Sequence, residues 1–165
     1  MDRPSSFEDQ LASLLPRLRR FAHALSHDSA DADDLTQATI ERALRSKAQW
    51  QAGTRLDSWT YRIMRNLWID TGRARGRRLV REGPEEEGLK VGNDPREAMD
   101  AAIDLNRIMT AMARLPDEQR EVVALILVEG FGYREVSEML DLPIGTVSSR
   151  LVRGRTALLA MVGEG

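Results

Sequence analysis

Apolar residues recur every three or four positions along most of this chain, which is the spacing of an amphipathic helix. The first such segment runs from Phe7 to Leu25 and contains Pro16, where a proline kinks or breaks a helix. The second, residues 31–48, begins with aspartates suited to capping a helix end. Three of its apolar residues are expected to face inward: Leu35, Ile40 and Leu44.

A third helix is predicted from about Leu56 to Ala74, and a different composition follows it. Glycines, prolines and the acidic run Glu85–Glu87 mark residues 77–95 as a linker that cannot bury a core. Helical spacing then returns over four segments, 96–115, 118–129, 133–140 and 144–161. With no period-two alternation and no internal repeat, the fold class is predicted to be all-α. We expect two small helical domains, residues 5–77 and 98–162, joined by a flexible acidic linker over 78–97.

The composition of the chain indicates where in the cell the protein is expected to act. The chain is 42% hydrophobic and 30% charged, and its longest apolar run, Val122–Val128, is too short to cross a bilayer. Its N-terminus lacks the basic and apolar stretches of a secretion signal, and it has no cysteine. We therefore expect a cytoplasmic protein without disulfides, thiolate metal sites or membrane insertion.

Charge is segregated along the chain although the formal net charge is only −2. Residues 51–80 carry seven arginines against two aspartates, whereas residues 81–104 carry eight acids against three basic residues. A second basic stretch follows residue 141. This pattern favours nucleic-acid contact at two places, separated by a solvated acidic spacer.

The third helix separates a basic face from a packed one. At about 100° per residue, Arg55, Arg62, Asn66 and Arg73 fall along one line, and apolar residues cover the opposite half. A solvated amphipathic surface helix would explain this pattern equally well. The alternative is a track for a nucleic-acid backbone, with Trp59 and Tyr61 placed to stack on unpaired bases. Three tryptophans could instead be core residues, and Trp68 is expected to be one: Trp50, Trp59 and Trp68.

The C-terminal segment has the spacing of a helix-turn-helix. Five residues are expected to form its inner face: Val136, Met139, Leu140, Val147 and Leu151. The turn is Asp141–Pro143, and Gly145 removes bulk from the first turn of the second helix. That second helix would enter a DNA major groove and present Arg153 to guanine, with Arg150 and Arg155 toward phosphates. A helical hairpin that merely packs remains the alternative.

Three motifs together resemble the extracytoplasmic-function (ECF) subgroup of the sigma-70 family of RNA polymerase sigma factors. They are DADDLTQATIERAL, SWTYRIMRNLWIDTGR and the segment from Leu115 to Leu158, in that order along the chain. The resemblance implies an alternative sigma factor that binds core RNA polymerase and directs promoter-specific initiation. Its implied partners are the polymerase, promoter DNA and an anti-sigma factor. It implies no enzymatic activity, cofactor, metal or small-molecule substrate.

The residue patterns and the resemblance together predict residues for three surfaces, and the resemblance itself carries over Asp34, Leu35, Gln37, Arg62, Asn66, Asp70 and Arg73. The polymerase-binding set is Asp31, Asp34, Leu35, Gln37 and Glu41. The set for the −10 element is Arg55, Trp59, Tyr61, Arg62, Arg65, Asn66, Asp70 and Arg73. The set for the −35 element is Thr146, Ser148, Ser149, Arg150, Val152, Arg153 and Arg155. The loop 46–55 corresponds to the family's pocket for a flipped base. Ala38, Ile40 and Ser148 depart from the family pattern, which usually has an acid, an aromatic residue and a basic residue at these positions.

Other classes of function explain less of the chain. A sigma-like decoy that binds an anti-sigma factor without initiating transcription would fit the departures at Ala38 and Ile40. It would leave both basic faces unexplained, and the family's decoys carry an added receiver domain that we do not expect here. A simple helix-turn-helix repressor would leave residues 31–78 without a role. An enzyme fits least, because His23 and His27 lack the intervening acid of a zinc protease helix and are expected to be exposed.

Overall fold

A computed structural model describes residues 5–82 and 96–163, with side chains over 5–72 and 104–163. Every regular element in these ranges is helical. The eight α-helices are α1 Phe7–Ser13, α2 Leu15–Ser26, α3 Ser29–Arg45, α4 Leu56–Glu82, α5 Arg96–Ala113, α6 Asp117–Val123, α7 Tyr133–Leu140 and α8 Ile144–Gly163. The predicted all-α class is confirmed. Most of the predicted linker lies outside the described residues, and its first five residues, 78–82, belong to α4.

The N-terminal half packs α1, α2, α3 and α4 around one core. The predicted break near Pro16 is present. Helix α1 ends at Ser13 and α2 begins at Leu15, so that Pro16 lies in the first turn of α2. Leu18, Phe21 and Leu25 follow at helical spacing, and all three are fully buried. The single residue Leu14 therefore divides one amphipathic stretch into two helices.

The inner face of α3 differs from the prediction. Leu35 is buried and Ile40 packs against the core, but the Leu44 prediction is wrong, because its side chain is 45% exposed. Nine residues separate Leu35 from Leu44, which turns a helix by about 900°, to its opposite side. Thr36 and Thr39 occupy the core instead, since their hydroxyls donate to the carbonyls of Ala32 and Leu35, both at 2.7 Å. The helix cap is Asp28, which precedes the predicted aspartates.

The C-terminal half is built from α5, α6, α7 and α8. The predicted 118–129 helix is α-helical only to Val123, after which Ala124–Val128 form a wider π-helical turn. This turn is closed by the N–H of Glu129, which donates to the carbonyl of Ala124 at 2.9 Å. Gly130 then adopts a positive φ of 78°, which ends the segment and directs the chain into α7.

The two halves pack directly against each other. Arg120 of α6, only 9% exposed, lies between them and donates to four carbonyl oxygens at 2.8–2.9 Å. Two of the acceptors, Met112 and Ala113, are the last residues of α5, and a third, Leu115, follows this helix. The fourth is Leu25, near the end of α2. One cation thus satisfies the unpaired carbonyls at the ends of two helices. Burial lowers the Arg120 pKa, and the carboxylate of Asp117 partly offsets this effect.

Candidate nucleic-acid interface

The predicted polymerase-binding residues lie on or beside one exposed stripe of α3. Asp34, Gln37 and Glu41 are exposed, and Asp31 is half-buried. Leu35 is buried, so it supports the stripe from beneath. Beside the stripe is a cavity of about 210 Å³, lined by Asp31, Asp34, Leu35, Ala38, Leu67, Trp68 and Thr71. The small side chain of Ala38 thus lies at an apolar recess that has carboxylates at its edge.

The basic face predicted for the third helix has its central residues on the surface of α4. Arg62, Asn66 and Asp70 are exposed, whereas Met64 on the other side is fully buried. Arg55 immediately precedes the helix and is also exposed. The side chain of Arg73 lies outside the described residues. Charge on one face and packing on the other are therefore both present, as the spacing indicated.

The two aromatic residues proposed to stack on bases have different environments. Trp59 is half-buried and meets Phe7 edge to face, with ring centroids 6.1 Å apart. Tyr61 is fully buried between Phe21 and Phe131, at 5.0 and 5.1 Å. Because Phe131 belongs to the C-terminal half, Tyr61 cannot present its ring to a base while the halves are together. Trp68, expected in the core, is half-buried and packs against it.

Three residues assigned to the −10 surface are bound by acids from the other half of the chain. Arg65 donates to Glu121 from Nε at 3.0 Å and from Nη2 at 3.4 Å. Arg55 pairs with Glu135, and its guanidinium also lies over the ring of Phe131, 5.3 Å from the centroid. Tyr61 donates its hydroxyl hydrogen to Glu129 at 2.8 Å. We call Glu121, Glu129 and Glu135 the acid triad.

Glu129 is the most enclosed member of the acid triad. Its side chain has no exposed surface, yet it accepts two hydrogen bonds from Arg20, at 2.7 and 2.9 Å, besides that of Tyr61. Burial raises the pKa of the Tyr61 hydroxyl, and the Glu129 carboxylate raises it further. The same carboxylate raises the pKa of Arg20. The guanidinium of Arg17 also lies 4.0 Å from this carboxylate. Glu129 is thus a buried carboxylate held by two arginines and one phenol, all contributed by the other half of the chain.

Sequence reasoning missed this cluster. The acids lie in the segment that resembles a −35-reading domain, and nothing in their spacing points toward α4. Periodicity reports which residues share a face of one helix, whereas these pairs join residues 56 to 109 positions apart. The signal that could have found it is the presence of Arg17 and Arg120 at half-buried and buried helical positions, since a buried cation needs acceptors opposite it.

The helix-turn-helix forms as predicted, with α7 and α8 as its helices. All five residues assigned to its inner face are buried: Val136, Met139, Leu140, Val147 and Leu151. Asp141 ends α7 in the left-handed region with φ 54°, and the N–H of Leu142 donates to Ser137 at 3.0 Å. The first backbone bonds of α8 are accepted by Pro143, which needs no N–H of its own there.

The outer face of α8 carries the side chains predicted to reach DNA. Four of them are exposed: Ser148, Val152, Arg153 and Arg155. Thr146, Ser149 and Arg150 are half-buried. Arg150 lies 3.6 Å from Glu118 of α6, so it is partly engaged within its own half. Arg153 and Arg155 are therefore the exposed arginines among the side chains predicted to reach DNA.

The prediction that the two histidines are exposed is wrong. His23 and His27 are half-buried, because the end of α2 lies against the C-terminal half. His27 ends α2 in the left-handed region, and its Nδ1 is buried without a hydrogen-bond partner. Burial lowers the pKa of His27, and Arg120 lowers it further. Among the described residues, no group of side chains could hold a metal ion, and no helix is long and apolar enough to span a membrane.

A recognition helix on one half and an exposed basic helix on the other define a two-module, helical DNA-binding protein. The family models that match are Sigma-70, region 4, over residues 105–158, and the Sigma2 domain of PhyR, over residues 11–65. The ECF RNA polymerase sigma factor EcfG of Rhodopseudomonas palustris is 32% identical over 95% of this chain and 85% of its own length. The chain belongs to the ECF sigma factors of the sigma-70 family.

Two further relatives agree with this assignment. The ECF sigma factor SigE of Mycolicibacterium smegmatis is 35% identical over 93% of this chain and 60% of its own length. The sigma factor RpoE of Bartonella quintana, solved in complex with the anti-sigma factor NepR, matches with a TM-score of 0.83 and 30% identity. That match covers 95% of this chain and 96% of RpoE. CnrH, at 22% identity and a TM-score of 0.67, shares the fold.

Proposed function

We propose that this chain directs promoter-specific transcription by binding core RNA polymerase through α3 and promoter DNA through α4 and α8. The observation that carries the proposal is the order of its two modules. A half that matches a sigma region 2 model precedes a half that matches region 4, and each has an exposed basic helix. The proposed docking surface is the stripe Asp34, Gln37 and Glu41, with Asp31 and Leu35 beside it.

Reading a promoter at two places explains how a chain of net charge −2 can bind DNA. The tether makes the second contact effectively intramolecular once the first has formed, so neither module needs to bind tightly alone. Capturing an unpaired base costs a few kcal/mol, which stacking can offset at about 1–3 kcal/mol per base. The chain then needs no ATP and no catalytic residues, and it would act in the cytoplasm with the polymerase.

We further propose that an anti-sigma factor controls it. The support is the likeness to RpoE of Bartonella quintana, whose structure was determined with the anti-sigma factor NepR and matches nearly the whole chain. In the present structure the two halves are packed together, so one partner could contact both at once. Such a partner would bind when transcription is to be kept off.

Run-off transcription with core polymerase tests the first proposal. Templates would be drawn from a library with varied −10 and −35 elements, and transcripts are expected only when the chain is added. Arg153→Ala should relax base preference in the −35 element, whereas Arg150→Ala should weaken binding across sequences and flatten its salt dependence. No transcript from any template would contradict the proposed function. Unchanged promoter choice and binding in both variants would contradict the assignment of α8.

The docking surface has its own test, a pull-down with core polymerase. Asp34→Arg reverses a charge at the edge of the α3 cavity and should reduce retention about tenfold or more, since like charges across an interface are costly. Glu138→Arg is the matched control, because it reverses an exposed acid on α7 in the other half. Equal losses in both variants would mean that net charge, and not the α3 stripe, determines binding.

A decoy remains the second candidate, because the N-terminal half matches the Sigma2 domain of PhyR, and PhyR of Bartonella quintana is an anti-anti-sigma factor. A decoy would bind an anti-sigma factor without engaging polymerase. Retention of the wild-type chain on core polymerase in the pull-down above would exclude that role.

A further inference from the structure

The contacts between the two halves fall on the surface proposed for the −10 element. Arg55, Tyr61 and Arg65 are each bound by one member of the acid triad. Arg62 and Asn66, on the same helix, stay exposed. The packing of the halves therefore covers one part of this surface selectively, and it does so with carboxylates.

A carboxylate is a good substitute for a phosphate group as an arginine ligand. Both present two oxygens that match the paired N–H groups of a guanidinium, and Arg65 uses two of its nitrogens on Glu121. Glu129 takes a similar pair of bonds from Arg20. In the N-terminal half, Arg20, Arg55 and Arg65 thus already have anionic partners of the kind that a DNA strand would offer.

The ring of Phe131, from the C-terminal half, covers further groups of the −10 surface. Phe131 lies edge to face on Tyr61, with an angle of 74° between the rings, and also beneath the guanidinium of Arg55. A DNA base would need the same faces for stacking. The C-terminal half therefore offers substitutes for both parts of a nucleotide, an anion and a ring.

We propose that the acid triad and Phe131 form an intramolecular competitor of promoter DNA, which holds the chain closed and its −10 surface occupied until the halves separate. This inference rests on the proposed function, because it assumes that α4 contacts the promoter. Any partner that binds only the separated halves shifts the chain toward the open form by its differential affinity. A partner that clamps the closed form has the opposite effect.

Closure can be measured without polymerase. The chain has no cysteine, so fluorophores can be attached at Ala12→Cys and Ala160→Cys, two exposed alanines in opposite halves. The test variant combines Glu121→Gln, Glu129→Gln and Glu135→Gln, which removes three charges at little change in volume. Glu135→Gln alone is the second variant, because Glu135 is 37% exposed and its loss should not prevent folding. Glu138→Gln is the control, an exposed acid on α7.

Energy transfer between the fluorophores should fall in the triple variant, where the ratio of open to closed chain is expected to rise about tenfold or more. In Glu135→Gln the energy transfer should fall by a smaller amount. Affinity for a labelled single-stranded oligonucleotide of mixed sequence should rise in the same order. Unchanged energy transfer in both variants overturns the inference, as does an equal gain in affinity for Glu138→Gln. Absence of transcription by the wild-type chain would instead refute the proposed function, whatever the energy transfer shows.

Discussion

Gly154 is a sharp test of how the recognition helix is held in place. It lies buried on α8, at the crossing with α6, on the side away from the proposed DNA face. A Cβ atom there would be 2.7 Å from Cγ2 of Val123 and 3.3 Å from Cβ of Gln119. Gly154→Ala therefore inserts one methyl group into a helix contact that has no room for it.

The size of the effect follows from two opposing contributions. Carbon atoms in contact normally lie about 3.5–4.0 Å apart, so the overlap with Val123 is close to 1 Å. Val123 is 1% exposed and β-branched, so it cannot rotate away freely. Overpacking of this kind costs up to about 3 kcal/mol, while replacing glycine by alanine in a helix regains about 1 kcal/mol. The free energy of unfolding should therefore fall by about 2 kcal/mol.

Urea denaturation followed by circular dichroism measures this change. Gly72→Ala on α4 is the matched control, because a Cβ there meets nothing within 4 Å, and it should stabilise by about 0.5–1 kcal/mol. In a Val123→Ala background the overlap with Cγ2 disappears, so Gly154→Ala should cost up to about 3 kcal/mol less than in the wild type. If Gly154→Ala stabilises the protein as much as Gly72→Ala does, the assignment of the α6–α8 contact is incorrect.

Two further predictions concern the boundary between the halves. Arg120→Lys keeps the charge, but a lysine cannot reach all four carbonyls, so the free energy of unfolding should fall by about 2–4 kcal/mol. If this variant has wild-type stability in urea, Arg120 is not a shared helix cap. His27 has a lowered pKa in the folded state, so as the pH falls below 6.5 the unfolded chain takes up the proton first. Stability should therefore be full above that pH, decline down to the folded pKa and then level off. In His27→Asn the new residue also tolerates the left-handed conformation, so the variant should fold but lose the decline of stability below pH 6.5. The measurement is the urea midpoint at a series of pH values. An unchanged profile would show that other groups cause the decline.

The individual helices were predictable because the spacing of apolar residues within a helix reflects its own periodicity. The bounds of α7, Tyr133–Leu140, and the five buried residues of the helix-turn-helix follow from apolar spacing together with glycine and proline positions. The exposed face of α4 follows from the same rule. The error at Leu44 arose from assigning apolar residues to the core by type, when two threonines that bond to their own backbone pack there as well.

What the sequence determined, then, is the set of helices, their faces and the order of two motif-bearing modules, because each depends on residues within a few positions of one another. Only the tertiary structure decided which surface of one half meets the other. The buried Tyr61, the shared cap Arg120 and the carboxylate of Glu129 all depend on partners far away in the chain. Such pairings are fixed by how whole helices fit together, a condition that no local pattern of charge or hydrophobicity records.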